Sequence, residues 1–160
     1  MLKIGDMAPD FSLPNQDNAV VKLSDYLGKT SVVIFFYPKD DTPGCTAQSC
    51  SFRDRSDEFA KLGVQILGIS QDSAESHQKF IGKYQLPYPL LSDVNGSVAT
   101  LFGVSKTFGL MPGRATFLVD IHGAIQMAYS SQIYIQKHID DALQVARRLP
   151  NAVTPVETPV

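Results

Sequence analysis

Runs of apolar residues along the chain predict a set of buried strands. Ser31–Tyr37 and Val64–Ser70 are continuous runs rich in β-branched and aromatic residues, without alternation. Such runs are typical of central strands that are covered on both faces. Shorter extended segments are predicted at Phe11–Leu13, Val20–Leu23, Pro89–Ser92, Ala115–Asp120 and Ala124–Tyr129. The first two form a hairpin around a turn-rich centre, and the last two form another.

Helical spacing of apolar positions predicts the remaining elements. A first helix follows the strand at Ser31–Tyr37 and closes at Gly63. Helix-start residues at Asp72–Glu75 lead into a second helix that continues to Tyr84, and Ser97–Phe102 forms a short third helix. Ile135–Leu149 is amphipathic, with an apolar stripe on one side.

The order of these elements predicts the fold class. A hairpin precedes strand–helix–strand–helix, which implies parallel strands joined by right-handed crossovers, and the second half adds antiparallel strands. We expect an α/β protein of thioredoxin-like fold, with a mixed central β-sheet flanked by helices and an N-terminal β-hairpin. Residues 1–149 are predicted to form one domain, and residues 150–160 a flexible tail.

Composition excludes several classes of function. The net charge is −2, from 14 basic and 16 acidic residues, and no basic block supports nucleic-acid binding. The apolar runs are far shorter than the roughly 20 residues that cross a bilayer. The first residues lack the basic start and apolar core of a secretory signal, which favours the cytoplasm. No additional apolar face suggests self-association, so we expect a monomer.

The junction after Ser31–Tyr37 holds the candidate chemistry. Both cysteines of the chain, Cys45 and Cys50, lie here, where a buried strand gives way to a helix. Thr42-Pro-Gly precedes Cys45 and is typical of a helix start, with Thr42 as a possible cap. Unpaired N–H groups in a first helical turn favour a thiolate, which is the reactive form of a cysteine. The alternative is an inert pair of small core residues.

The wider motif resembles that of the peroxiredoxins. Pro38 to Cys45 matches Pro-x-x-x-Thr-x-x-Cys, and the run on to Cys50 is similar to peroxiredoxin Q, also known as bacterioferritin comigratory protein. The likeness covers roughly residues 3–148. It includes Gly5–Phe11 near the start and Gly113–Asp120 late in the chain.

This resemblance implies a thiol peroxidase with assigned residues. Cys45 is expected to attack the peroxide and become a sulfenic acid, and Cys50 to resolve it as an intramolecular disulfide. Thr42 would hold the peroxide, Pro43 would shield the sulfur, and Arg114 would stabilise developing negative charge. A thioredoxin-type donor would reduce the disulfide. The chemistry needs no metal and no organic cofactor.

Helix geometry adds a conformational expectation. Residues five apart on an α-helix have Cα atoms roughly 8.5–9 Å apart. A disulfide needs a Cα separation below about 7 Å. If Cys45 and Cys50 share one helix, residues 42–52 must unwind locally in each cycle.

The sequence also leads to expectations for polar and aromatic residues outside the two cysteines. Asp40 and Asp41 are expected to face solvent. The three histidines, His77, His122 and His138, are expected at the surface or in turns. Gln48 replaces a glutamate common in relatives and cannot carry protons. Two further expectations stay open. Arg53 either pairs with Asp57 or approaches the thiolate, and Tyr37 and Phe36 either line the pocket or fill the core.

Two further features bear on function. The segment from Lys106 to Arg114 departs from the usual spacing of apolar residues in relatives, and its loop is expected to shape access to the site. Two rival functions also remain: a disulfide oxidoreductase, disfavoured because Cys-x-x-Cys is missing from the sequence, and a redox sensor or holdase that signals through the Cys45–Cys50 bond.

Overall fold

The computed structural model describes residues 1–107 and 111–150. The predicted tail therefore lies outside the described residues apart from Pro150, as does the centre of the loop between Lys106 and Arg114. The strands are β1 Ser12–Pro14, β2 Val20–Lys22, β3 Ser31–Phe36, β4 Val64–Ser70, β5 Leu90–Ser92, β6 Lys106–Thr107, β7 Met111–Pro112, β8 Ala115–Val119 and β9 Ile125–Ser130. The helices are α1 Pro43–Asp54, α2 Ser56–Lys61, α3 Ala74–Tyr84, α4 Ser97–Leu101 and α5 Ile135–Arg148, with a 3-10 turn at Leu23–Asp25.

The central sheet is mixed, as predicted. Its strand order is β5-β4-β3-β8-β9, with β3 parallel to β4 and antiparallel to β8. Every residue of β3 is buried, which explains its lack of apolar–polar alternation. The N-terminal hairpin of β1 and β2 is confirmed, with Leu13 opposite Val21. In the described part of the chain, no helix is long and apolar enough to cross a membrane.

Two apolar clusters cover the two faces of the sheet. One cluster joins the odd-numbered residues of β3 to α1, α2, α3 and α5, and includes Phe35, Phe52 and Ile139. The other joins the even-numbered residues of β3 to the N-terminal hairpin and α4, and includes Phe36 and Phe102. The predicted helices on both faces are therefore confirmed. Phe36 fills the core of the second face.

One predicted helix is in fact two. The chain breaks at Arg55, whose φ of −107° and ψ of 5° leave the helical region between α1 and α2. Along an unbroken helix, Phe52 and Phe59 would be separated by a rise of about 10.5 Å. The break brings their ring centroids to 6.0 Å, so both rings enter one core.

Gly68 in β4 provides a test of how tightly this core is packed. A Cβ atom there would lie 2.6 Å from Leu90 Cδ2 and 2.9 Å from Phe35 Cζ. Gly68→Ala should lower the free energy of unfolding by about 1–3 kcal/mol, measured by urea denaturation. Gly82→Ala is the matched control, because nothing lies within 4 Å of a Cβ on this exposed helical glycine. It should raise stability by about 0.5–1 kcal/mol. Equal effects of the two substitutions would contradict this packing.

Candidate active site

The structure places Cys45 where the sequence predicted it. β3 ends at Phe36, and Thr42 occupies the N-cap position of α1 with Pro43 as the first helical residue. Cys45 is the third helical residue and is 1% exposed. Its thiol therefore lies in the first turn, where backbone N–H groups have no helical acceptor.

The Thr42 hydroxyl does not cap the helix. It donates instead to the Lys39 carbonyl, 2.8 Å away, and makes no capping bond to α1. The oxygen lone pairs of Thr42 thus remain able to accept a hydrogen bond from another group. Pro43, beside it, is exposed at the start of the helix.

Arg114 is brought to the same place by the register of the sheet. Phe36, the last residue of β3, pairs with Ala115, so Arg114 lies beside the end of β3. The guanidinium is buried, and its Nη2 lies 3.5 Å from Cys45 Sγ. A Cβ on Gly44 would approach Nη2 to 3.0 Å, so glycine at this position gives the guanidinium room.

Gln48 orients Arg114 from one helical turn further along α1. Arg114 Nη1 donates to Gln48 Oε1 at 2.6 Å, and Gln48 is fully buried. Among the described residues, neither Arg114 Nε nor Gln48 Nε2 has an acceptor. Both donors belong to the Arg114–Gln48 pair, whose guanidinium contacts the Cys45 sulfur, and both are shielded from solvent.

Cys50 shares α1 with Cys45, as expected. Both are free thiols, and Cys50 is half-buried. Burial raises the pKa of the Cys50 thiol; Arg53 acts against this shift and Asp54 adds to it. Arg53 follows neither predicted alternative, because it pairs with Asp54 at 3.0 Å and donates to the Tyr84 carbonyl at 2.8 Å.

The expectation that Asp40 faces solvent is wrong. Asp40 is 8% exposed, and its carboxylate accepts hydrogen bonds from Tyr37 and Ser76. His77, expected at the surface, is fully buried with Nδ1 2.7 Å from Asp40 Oδ2. A charged residue is buried when partners satisfy it, and two of these partners, Ser76 and His77, come from α3, far along the chain. The Tyr37 ring is buried in the core, and its hydroxyl belongs to this hydrogen-bond network.

His138 was also misplaced by the sequence, whereas His122 is exposed as expected. His138 is buried, with Nδ1 2.8 Å from Thr116 Oγ1 and Nε2 2.8 Å from the Ser131 carbonyl. Burial lowers the pKa of His138 to about 4, although the Ser131 carbonyl opposes this shift. The ring is therefore neutral near pH 7.

A helical signal could have located His77 in the sequence. Phe80, Ile81 and Tyr84 follow it by three, four and seven residues, which places His77 on the apolar stripe of α3. Asp40, Asp72 and His77 present ligand atoms within 4.8 Å of one another, so they could in principle hold a cation. All three are already engaged in hydrogen bonds within the protein, which favours a structural network.

Known proteins share both the sequence and the architecture. Residues 4–128 match the AhpC/TSA family. A chloroplastic peroxiredoxin Q of Sedum lineare is 46% identical over 146 residues, which span 91% of this chain and 78% of that protein.

Solved structures agree with this match. Peroxidoxin BcpB from Mycobacterium tuberculosis is 38% identical, with a TM-score of 0.87 over 94% of this chain and all of that one (100%). A Xanthomonas campestris bacterioferritin comigratory protein, described for its alkyl peroxide reduction activity, is 30% identical with a TM-score of 0.80. That match covers 92% of this chain and 97% of the other. The chain belongs to the AhpC/TSA family as a peroxiredoxin of the Q type, and it is a thiol peroxidase.

Proposed function

We propose that this peroxidase reduces hydrogen peroxide and organic hydroperoxides through Cys45, resolves the product through Cys50 and is recycled by a thioredoxin-type dithiol. One observation carries the proposal: the Cys45 thiol lies in the first turn of α1, 3.5 Å from the buried guanidinium of Arg114. A fixed positive charge there favours a thiolate and the negative charge that develops on a departing oxygen.

The first step forms an S–O bond and breaks the O–O bond. The Cys45 thiolate attacks the protonated peroxide oxygen, and the proton of that oxygen passes to the other oxygen, which leaves as water or alcohol. The resulting sulfenate takes a proton from solvent to become the sulfenic acid. The Thr42 hydroxyl donates to Lys39, so it accepts the O–H of the peroxide and orients it. Arg114 stabilises the charge on the leaving oxygen, and Pro43 shields the sulfur from water.

The second step forms the disulfide. The Cys50 thiol attacks the sulfenic sulfur of Cys45, and the hydroxyl leaves as water. Because both cysteines lie on α1, this helix must unwind first. Unwinding breaks the Gln48–Arg114 bond and the bond from the Tyr88 hydroxyl to the Ser49 carbonyl, 2.6 Å long. An external dithiol then exchanges with the disulfide and restores both thiols.

The proposal also covers the substrate range, the oligomeric state and the compartment. Organic hydroperoxides are included because the similar Xanthomonas campestris protein is described for alkyl peroxide reduction. A monomer is sufficient, because Cys45, Gln48 and Arg114 come from one chain. The relatives named chloroplastic make a plastid the alternative to the cytoplasm as the compartment.

Serine substitutions test the two cysteine roles. Cys45→Ser should abolish turnover of hydrogen peroxide with thioredoxin and its reductase, because the attacking atom is lost. Cys50→Ser should consume about one equivalent and then stall, because the sulfenic acid has no resolving thiol. Intact mass after peroxide treatment should show loss of two hydrogens in the wild type and gain of one oxygen in Cys50→Ser.

The rival functions predict other results in the same assay. Disulfide exchange without peroxide consumption would favour a disulfide oxidoreductase. A single oxidation event in the wild type, with no further turnover when reductant is present, would favour a redox sensor. Peroxide turnover that survives in Cys45→Ser would remove Cys45 as the attacking residue.

Tyr88→Phe tests whether helix unwinding limits resolution. The variant keeps the aromatic ring, which packs edge-on against Phe35 at 5.7 Å, but loses the hydrogen bond to the Ser49 carbonyl. Losing about 1 kcal/mol of restraint should speed disulfide formation roughly fivefold, measured by rapid-quench mass spectrometry. Less sulfinic acid should accumulate at high peroxide. Tyr84→Phe is the control, because that hydroxyl contacts exposed Asp41. If the disulfide forms at the wild-type rate in Tyr88→Phe, unwinding of α1 does not limit resolution.

The raised pKa of Cys50 gives a pH dependence. In Cys45→Ser, the midpoint for alkylation of Cys50 by iodoacetamide should lie above that of a peptide with the α1 sequence, because burial disfavours the thiolate. Folding of α1 thus favours the protonated thiol, and this stabilisation is lost as pH rises through the pKa of the folded form. Disulfide formation should accelerate with pH over the same range. Identical midpoints for protein and peptide would contradict the burial effect.

A further inference from the structure

The loop between β3 and α1 is anchored by one buried carboxylate. Asp40 Oδ1 accepts from the Tyr37 hydroxyl at 2.5 Å, and Oδ2 accepts from the Ser76 hydroxyl at 2.8 Å. Oδ2 also lies 2.7 Å from His77 Nδ1. The backbone N–H of Asp40 donates to Asp72 Oδ2 at 2.9 Å. The loop is therefore fixed to α3 and to the end of β4 through groups that are buried or partly buried.

The contacts of His77 define how many protons the pair of His77 and Asp40 holds. Its Nε2 lies 3.1 Å from the Leu91 carbonyl, which can only accept, so Nε2 carries a proton. The 2.7 Å contact between Nδ1 and Asp40 Oδ2 needs a second proton, shared between the two atoms. Whichever atom holds it, the pair as a whole is neutral. Without that proton a lone pair would face a buried carboxylate.

This anchor connects to the candidate substrate-binding hydroxyl through the backbone. The Lys39 carbonyl, next to Asp40, accepts the Thr42 hydroxyl at 2.8 Å and so sets where its lone pairs point. Asp41, between Asp40 and Thr42, has a φ of 57°, in the left-handed region. The chain thus turns sharply here, and the direction of the Lys39 carbonyl depends on how Asp40 is held.

We propose that Asp40 and His77 are positioning residues for the peroxidase reaction. Their neutral buried pair fixes the Lys39 carbonyl, and through it the Thr42 hydroxyl that orients the peroxide towards Cys45. This inference rests on the role of Thr42 in the proposed function. Within the described part of the chain, the hydrogen bonds of both residues go to groups other than the Cys45 thiol, so both act through geometry.

Two Asp40 substitutions separate geometry from charge. Asp40→Ala removes the anchor and should slow the reaction of Cys45 with hydrogen peroxide by about 100-fold, the size of effect that a small misplacement of a reactant can have. Asp40→Asn should stay within about threefold of the wild type. Its amide oxygen accepts from Tyr37, and its two amide N–H groups donate to Nδ1 of a neutral His77 and to the Ser76 hydroxyl oxygen.

The readout compares two reactions of the same sulfur in the Cys50→Ser background. Competition with a haem peroxidase gives the rate constant for hydrogen peroxide, and iodoacetamide alkylation gives the reactivity of the thiolate alone. Positioning of the peroxide predicts that Asp40→Ala slows the first reaction but changes alkylation less than about threefold. A general loss of structure would slow or speed both together.

The control is Asp120→Ala. Asp120 accepts backbone N–H groups of His122 and Ala124 in the turn after β8, at the opposite end of that strand from Arg114. This variant should lose stability and keep the peroxide rate. If Asp40→Ala does not fold, Ser76→Ala removes one donor to Oδ2, and it should lower only the peroxide rate, by a smaller factor.

An unchanged peroxide rate in Asp40→Ala would overturn the proposal, and Ser76→Ala takes its place in this test if Asp40→Ala does not fold. Parallel changes in the peroxide and alkylation reactions would also overturn it. So would an Asp40→Asn variant that is as slow as Asp40→Ala. Thr42→Val separates these from failure of the proposed function. If Thr42→Val keeps the wild-type peroxide rate, the role of Thr42 is wrong. If Thr42→Val is slow while the Asp40 variants are not, only the positioning inference fails.

Discussion

The rest of the site depends on a buried guanidinium held against the first turn of a helix. Arg114 reaches Cys45 because β8 pairs with β3 in a register that sets Ala115 opposite Phe36. Burying this cation is costly unless hydrogen bonds satisfy it, and Gln48 supplies one of them from the same helix as the thiol. The sheet, the glycine at position 44 and the turn of α1 thus have one common effect. They hold a positive charge beside the Cys45 sulfur, which is the attacking atom of the proposed reaction.

The proposed cycle places two opposing requirements on the same helix. Its first turn must be ordered to hold Cys45, yet it must open if Cys50 is to reach a sulfenic sulfur on Cys45. The contacts along α1 are divided accordingly. Phe52, near its end, stacks on Phe35 with centroids 4.6 Å apart in the core. The earlier turns place the smaller Cys45 side chain in the same core and make hydrogen bonds to Arg114 and Tyr88. Removing an aromatic ring from the core costs more than breaking these contacts, so in the proposed cycle we expect opening to stay before Phe52.

Local patterns were sufficient to predict the sheet and the position of Cys45 in the first turn of a helix. The hydrogen-bond network around Asp40 and His77 was not predictable in this way. β3 is a continuous apolar run, and the Thr-Pro-Gly sequence marks the start of α1 directly. Asp40 and His77 lie 37 residues apart, and although helical spacing places His77 on the apolar stripe of α3, no local pattern pairs it with Asp40. Their burial follows from pairing, which appears only when the fold brings α3 to the loop. The sequence motifs linked Gln48 and Arg114, 66 residues apart, to the site. The hydrogen bond between them is seen only in the structure.

In the proposed cycle, the anchoring of the loop would let α1 open repeatedly without losing its starting geometry. Asp40 is held by α3, by Tyr37 and by Asp72 at the end of β4, and by no side chain of α1. When α1 unwinds, the Lys39 carbonyl therefore stays in place, and the N-cap residue Thr42 keeps its partner. Helix formation is limited by its first turn, whose residues must be fixed before any hydrogen bond compensates. A preformed N-cap lowers that cost, so α1 can reform around Cys45 once the disulfide is reduced.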